Sequence, residues 1–138
     1  MIIADTNVVS EVLRDTPSER VLAWLDSVRG SRVTVCAVTV FEIERGISRL
    51  PRGRRAEDLS RRWSVISRRF GHSLVAFDHD AAREAAAASA HAEASGRPMS
   101  LADAQIAGCC LASGAILATR NTADFETVVG LRVVDPFA

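Results

Sequence analysis

Hydrophobic positions along this chain come in short blocks, and the polar residues between them decide what each block becomes. Ile2-Ile3-Ala4 gives way at once to the polar trio Asp5-Thr6-Asn7, after which Val8, Val9, Val12 and Leu13 recur at helical spacing. A strand leading into a helix is predicted. Pro17 suits a first helical turn, Val21, Leu25 and Val28 follow in register, and Gly30 supplies a stop, which predicts a second helix. Arg32 to Val38 is dense in β-branched residues and reads as a strand, and Thr39-Val40-Phe41-Glu42 then opens a helix that fades near Pro51.

Residues 54 to 70 are expected to form an arginine-faced helix and Ser73 to Phe77 a third strand. The alanine-rich stretch Asp80 to Ser95 is expected to be a closely packing helix, ended by Gly96-Arg97-Pro98. Ser100 to Ser113 is a further helix with Gly114 as its C-terminal glycine. Ala115 to Thr119 predicts a fourth strand, Asn121 to Val128 a short helix, and Leu131 to Val134 a last strand. Such alternation argues for an α/β sandwich with a mostly parallel central sheet. With no repeat, linker or low-complexity tract, residues 1–138 are expected to form a single domain.

Composition narrows the class. Hydrophobic residues make up 48% of the chain, charged residues 25%, and the formal net charge is zero, which fits a soluble globular protein better than a disordered or fibrous one. No apolar stretch approaches the ~20 residues of a membrane span, and MIIADTN has neither a basic leader nor a cleavage site, so a cytoplasmic location is expected. Cys36, Cys109 and Cys110 suit neither a disulfide framework nor a zinc site and are expected in the core.

Charge is unevenly placed. All 17 basic residues are arginine, and nine lie between positions 45 and 69, opposed there only by Glu57 and Asp58. The segment is either a solvated helix face or a surface turned to phosphate or to a partner, since arginine forks match phosphate and carboxylate bidentately.

Candidate chemistry rests on four acids. In an open parallel sheet, ligands bind beyond the carboxyl ends of the strands, where helices begin. Asp5 directly follows the first predicted strand, Glu42 and Asp124 fall in the first turns after the second and fourth, and Asp103 falls in the first turn of the helix near Ser100. All four should point to one edge of the sheet. Carboxylates packed together repel unless a cation intervenes, and a hard divalent ion such as Mg²⁺ takes a few carboxylates plus waters and phosphate oxygens. Each acid alone has a plainer explanation: Thr39-x-x-Glu42 and Ser100-x-x-Asp103 fit a capping box and Asn121-x-x-Asp124 resembles one. Asp5 is hardest to explain that way, because a carboxylate at the end of a central strand is costly unless paired or metal-bound. Asp78 and Asp80 also start a helix after a strand and are assigned to capping. His72, His79 and His91 lack metal-ligand spacing and are expected at the surface, and the absence of lysine and of GxGxxG disfavours P-loop and dinucleotide chemistry.

IIADTNVVSEVL, TVFEIERGI, SLADAQIAG and LATRNTADF, in that order across nearly the whole chain and followed by the terminal VVDPFA, closely resemble the PIN-domain nucleases, above all the VapC-type toxins of bacterial toxin/antitoxin operons. The resemblance implies a three-layer α/β/α fold, endoribonuclease activity and an acidic Mg²⁺ or Mn²⁺ site. By motif position the family's acids fall on Asp5, Glu42, Asp103 and Asp124, with Asp5 and Asp103 first among direct ligands. Asn7, Thr119 and Asn121 match supporting polar positions, and Arg120 is a candidate phosphate contact. The resemblance further implies a homodimer and a protein antitoxin that brings a DNA-binding domain and wraps the toxin, setting a basic side chain in the acidic pocket. Phe41, Ile43, Ile47, Trp63 and Ile66 would line its groove or form core. The alternative is a catalytically weak PIN-like module acting through protein or nucleic-acid binding.

Overall fold

The computed structural model describes residues 1–138. Four parallel strands, β1 (Ile2–Ala4), β2 (Val33–Thr34), β3 (Ile116–Ala118) and β4 (Arg132–Val134), form one sheet in the order β2-β1-β3-β4. Six helices surround it: α1 (Thr6–Val12), α2 (Glu19–Ser27), α3 (Ala37–Ser48), α4 (Arg54–Phe70), α5 (His79–Ala94) and α6 (Leu101–Ser113). A single 3₁₀ turn, Thr122–Phe125, links β3 to β4.

Alternation along the strands sends successive side chains to opposite faces. Ile3, Cys36 and Leu117 join Ala81, Ala88, Ile106 and Phe125 in one core cluster, on the side of α5 and α6. Ala4 and Val35 join Val8, Val21, Ile43 and Trp63 in a second, on the side of α1 to α4. The result is the three-layer α/β/α arrangement. All three cysteines are free and buried, as expected of core residues, and the three histidines are exposed. No helix is long and apolar enough to cross a membrane.

Local signals set several helix ends. Ser18, Asp78 and Ser100 cap α2, α5 and α6 by accepting from Val21, Ala81 and Asp103 N–H, and Gly114 closes α6 in the left-handed region at φ 68°. The alanines of α5 let α6 approach so closely that a Cβ at Gly108 would lie 2.3 Å from the Ala81 carbonyl oxygen. A methyl group there would have to push two helices apart.

Three expectations differ from what forms. Residues 73–77 are no sheet strand: only Val75 bridges to the edge, its N–H donating to Val35 O and its carbonyl accepting from Ala37 N–H. The alternating burial of that segment is that of an extended edge piece whose pairing stops after one bridge. The strand expected over 32–38 shrinks to Val33–Thr34, because the chain turns into α3 already at Ala37, with Cys36 as its first-turn boundary. The helix expected over 121–128 is limited to the 3₁₀ turn.

Candidate functional site

β1 and β3 are neighbours, so the residues that leave their carboxyl ends, Asp5 and Thr119, meet across the sheet. Thr119 Oγ1 donates to Asp5 Oδ2 at 2.7 Å, and Asn7 Nδ2 donates to the same oxygen at 3.2 Å and to Thr119 Oγ1 at 3.1 Å. Asp5 Oδ1 accepts from Thr6 N–H at 2.7 Å. Oδ2 thereby spends both its lone pairs, while Oδ1 keeps one free. Asp5 is only 5% exposed, yet every partner is neutral. Burial pushes its carboxyl above the ordinary value, the Glu42 charge adds to the rise, and the hydrogen bonds from Thr119, Thr6 and Asn7 oppose it.

Glu42 stands one turn further into its helix than expected, because α3 starts at Ala37. Thr39 is therefore buried inside the helix and caps nothing, which removes the capping explanation for Glu42. Its Oε1 instead accepts from Thr6 Oγ1 at 2.6 Å. Thr6 was not singled out from sequence, although its place between Asp5 and Asn7 was the available signal. Its N–H holds one acid and its hydroxyl the other.

Asp103 and Asp124 line one cavity of about 280 Å³ with Arg97, Met99, Ser100 and Thr127. Ser100 does cap α6 through Asp103 N–H at 3.1 Å, but this leaves the Asp103 carboxylate itself unused. Burial raises the Asp103 carboxyl first, and the charges of Asp5, Asp124 and Glu42 each raise it further. Asp103 thus feels all three other acids. Asn121 makes no side-chain cap, and its N–H donates to Thr119 Oγ1 at 3.1 Å, so its support to the cluster comes from backbone.

A PIN domain family profile matches residues 2–131. The chain belongs to the PIN-domain family. It is 37% identical over 139 residues to VapC ribonuclease Y4jK of Sinorhizobium fredii, covering 99% of this chain and 98% of that protein. It is 36% identical to Toxin FitB of Neisseria gonorrhoeae over 126 residues, 91% of each chain. Among solved structures, FitAB bound to a DNA fragment superposes with a TM-score of 0.91 at 34% identity, covering 100% of this chain and 96% of that one.

In this PIN domain no three acidic, histidine or cysteine side chains converge closely enough to hold one ion between them. The donor set nevertheless fits Mg²⁺ or Mn²⁺, since the donors are hard carboxylate oxygens and Mg²⁺ is usually held by one or two carboxylates with waters completing the octahedron. The ion pairs point the same way. Arginines or a histidine pair with Glu11, Asp26, Asp58, Asp15, Asp80 and Glu126, and none of the four candidate acids takes part.

Arg120 lies beside the cluster, its N–H donating to Asn7 Oδ1 at 3.2 Å and its guanidinium stacked 3.8 Å from the Phe137 ring centroid. A larger groove of about 880 Å³ opens from Thr6 and Glu42 toward α4. Of the five residues expected along a groove or in the core, Ile43 and Ile47 line this groove. Trp63 is core, with its Nε1–H donating to Glu44 Oε1 at 2.7 Å, and Ile66 packs at the core edge. Phe41 does neither, being 65% exposed.

Proposed function

We propose that this PIN domain is an endoribonuclease dependent on Mg²⁺ or Mn²⁺, acting through Asp5, Glu42, Asp103 and Asp124 as the toxin of a toxin/antitoxin pair. One observation carries the reading: in a chain with 17 arginines, four acids drawn from different elements stay free of every ion pair, while burial and the charges of the other acids raise the carboxyls of Asp5 and Asp103. Neighbouring carboxylates without a counter-charge resist joint ionisation, and a bound divalent cation removes that cost. The names of the relatives, a VapC ribonuclease and a toxin, support the same conclusion.

A bound divalent ion supplies an activated water at neutral pH and charge stabilisation at the scissile phosphate. Asp5, through its free Oδ1 lone pair, and Asp103, with an unengaged carboxylate, would hold it. Glu42 and Asp124 would accept hydrogen bonds from its waters. Thr119 and Asn7 fix the Asp5 carboxylate from behind, and Thr6 sets the angle of Glu42, which is the work of residues that orient metal ligands. RNA is the substrate and the cognate antitoxin the inhibitor, with DNA reached through the antitoxin; a homodimer is the expected state of the free toxin.

Purified protein is expected to cleave RNA with Mg²⁺ or Mn²⁺, to stop on addition of EDTA, and to be silenced by Asp5→Asn. RNA left whole under every metal condition, alongside tight RNA or protein binding, would instead identify a binding module. DNA and small phosphoesters serve as comparison substrates.

A further inference from the structure

The arginines between 45 and 69 exceed the acids there by seven charges, and since the whole chain is neutral the remainder carries the opposite seven. Their arrangement on α4 is regular. Arg54-Arg55, Arg61-Arg62 and Arg68-Arg69 recur every seven residues. On an α-helix that repeat sets successive pairs roughly 10 Å apart along the axis and within about 20° around it, so the pairs form a stripe.

Internal structure accounts for part of the stripe. Arg62 donates to Leu13 O at 3.0 Å and pairs with Asp15, Arg61 pairs with Asp58, and Arg68 Nε donates to Ser64 O. Arg54, Arg55 and Arg69 make no ion pair or side-chain hydrogen bond. Arg54 and Arg55 also stand in the first turn of α4, where the helix dipole favours acids, so local helix stability does not explain them. Both line the groove of about 880 Å³ whose other end is Thr6 and Glu42.

We propose that the arginine pairs of α4 form a track for the phosphate backbone of single-stranded RNA, entering the groove at Arg54 and Arg55 and ending at Glu42. The inference rests on the ribonuclease reading and gives its substrate a path. A row of guanidinium forks suits a polymer with one charge per nucleotide, and its first pair, Arg54 and Arg55, lines the cavity that reaches an acid of the candidate site.

The test is binding of a short labelled single-stranded RNA to the full chain in metal-free buffer over a range of salt, together with steady-state cleavage when metal is present. Each phosphate contact contributes about 0.7 to the slope of log K against log salt for single strands. Arg54→Ala/Arg55→Ala is expected to lower that slope by roughly one to one and a half and to raise KM with kcat unchanged. Arg68→Ala/Arg69→Ala is expected to change the slope in the same direction, and Arg54→Lys/Arg55→Lys to restore most of it. Thermal melting confirms that the variants fold. A slope and KM equal to wild type would overturn the track, as would unchanged RNA binding together with loss of antitoxin binding, which would make the stripe a protein-partner surface. RNA bound along the track without cleavage would instead count against the nuclease reading and leave the track standing.

Discussion

The two ends of α1 hold two buried acids in opposite circumstances. Glu11, at the C-terminal end and 7% exposed, accepts from Arg14 and from Ser18 N–H. Burial would raise its carboxyl, but the Arg14 bond, the Ser18 bond and the Arg14 and Arg120 charges outweigh it and hold it below the ordinary value. Asp5, at the N-terminal end, meets only neutral donors and is pushed up, as is its neighbour Asp103. Glu11 pins the turn from α1 to α2 by satisfying its own charge. Asp5 and Asp103 leave theirs for something else to satisfy, and that contrast separates a structural acid from a candidate ligand more sharply than burial does.

The largest expected difference is in activity. Asp103→Asn should lower kcat/KM for RNA by at least about 100-fold, because loss even of a supporting partner of a metal ligand costs about 10- to 100-fold, whereas Glu11→Gln should leave the activity of the folded protein near wild type. Equal loss in both variants, at equal folded fraction, would erase the distinction. Thr119→Val tests the support behind Asp5 and should fall between them, with about a 10- to 100-fold loss that excess Mg²⁺ partly restores.

The smallest effect is on stability, and its sign differs at the two sites. Asp103 has a raised carboxyl, so its ionised form costs the native state free energy as pH rises through the raised value, and the cost is absent below the ordinary value of 3.8. In metal-free buffer Asp103→Asn should therefore melt a few degrees above wild type near pH 7, with the gap closing on acidification. Glu11 has a lowered carboxyl, so its stabilisation is present above 4.5 and fades as pH falls through the lowered value. Glu11→Gln should melt below wild type near neutrality and approach it in acid. Melting curves of both variants across pH check the pair, and parallel curves would mean that the acids do not differ.

Much of this architecture was legible in local sequence. Pro17, Asp78 and Ser100 marked the neighbourhoods where α2, α5 and α6 begin, glycine marked the end of α6, and the four candidate acids were picked by their place after strands or in first helical turns. What misled were signals that are local yet ambiguous. Thr39-x-x-Glu42 has the composition of a capping box, but the helix begins earlier, and a short apolar run at 74–77 favours extended chain without guaranteeing a strand to pair with.

The chain by itself determined which segments coil and which extend, and which side chains carry charge, because hydrophobic period, caps and composition act over a few residues. Only the tertiary structure decided which charges go unanswered. Asp5 meets Thr119 across 114 positions because β1 and β3 lie side by side, and Glu42 meets Thr6 because α3 packs next to α1. Ion pairing is a property of neighbours in space, so the difference between Glu11 and Asp5 arises when the sheet order is set.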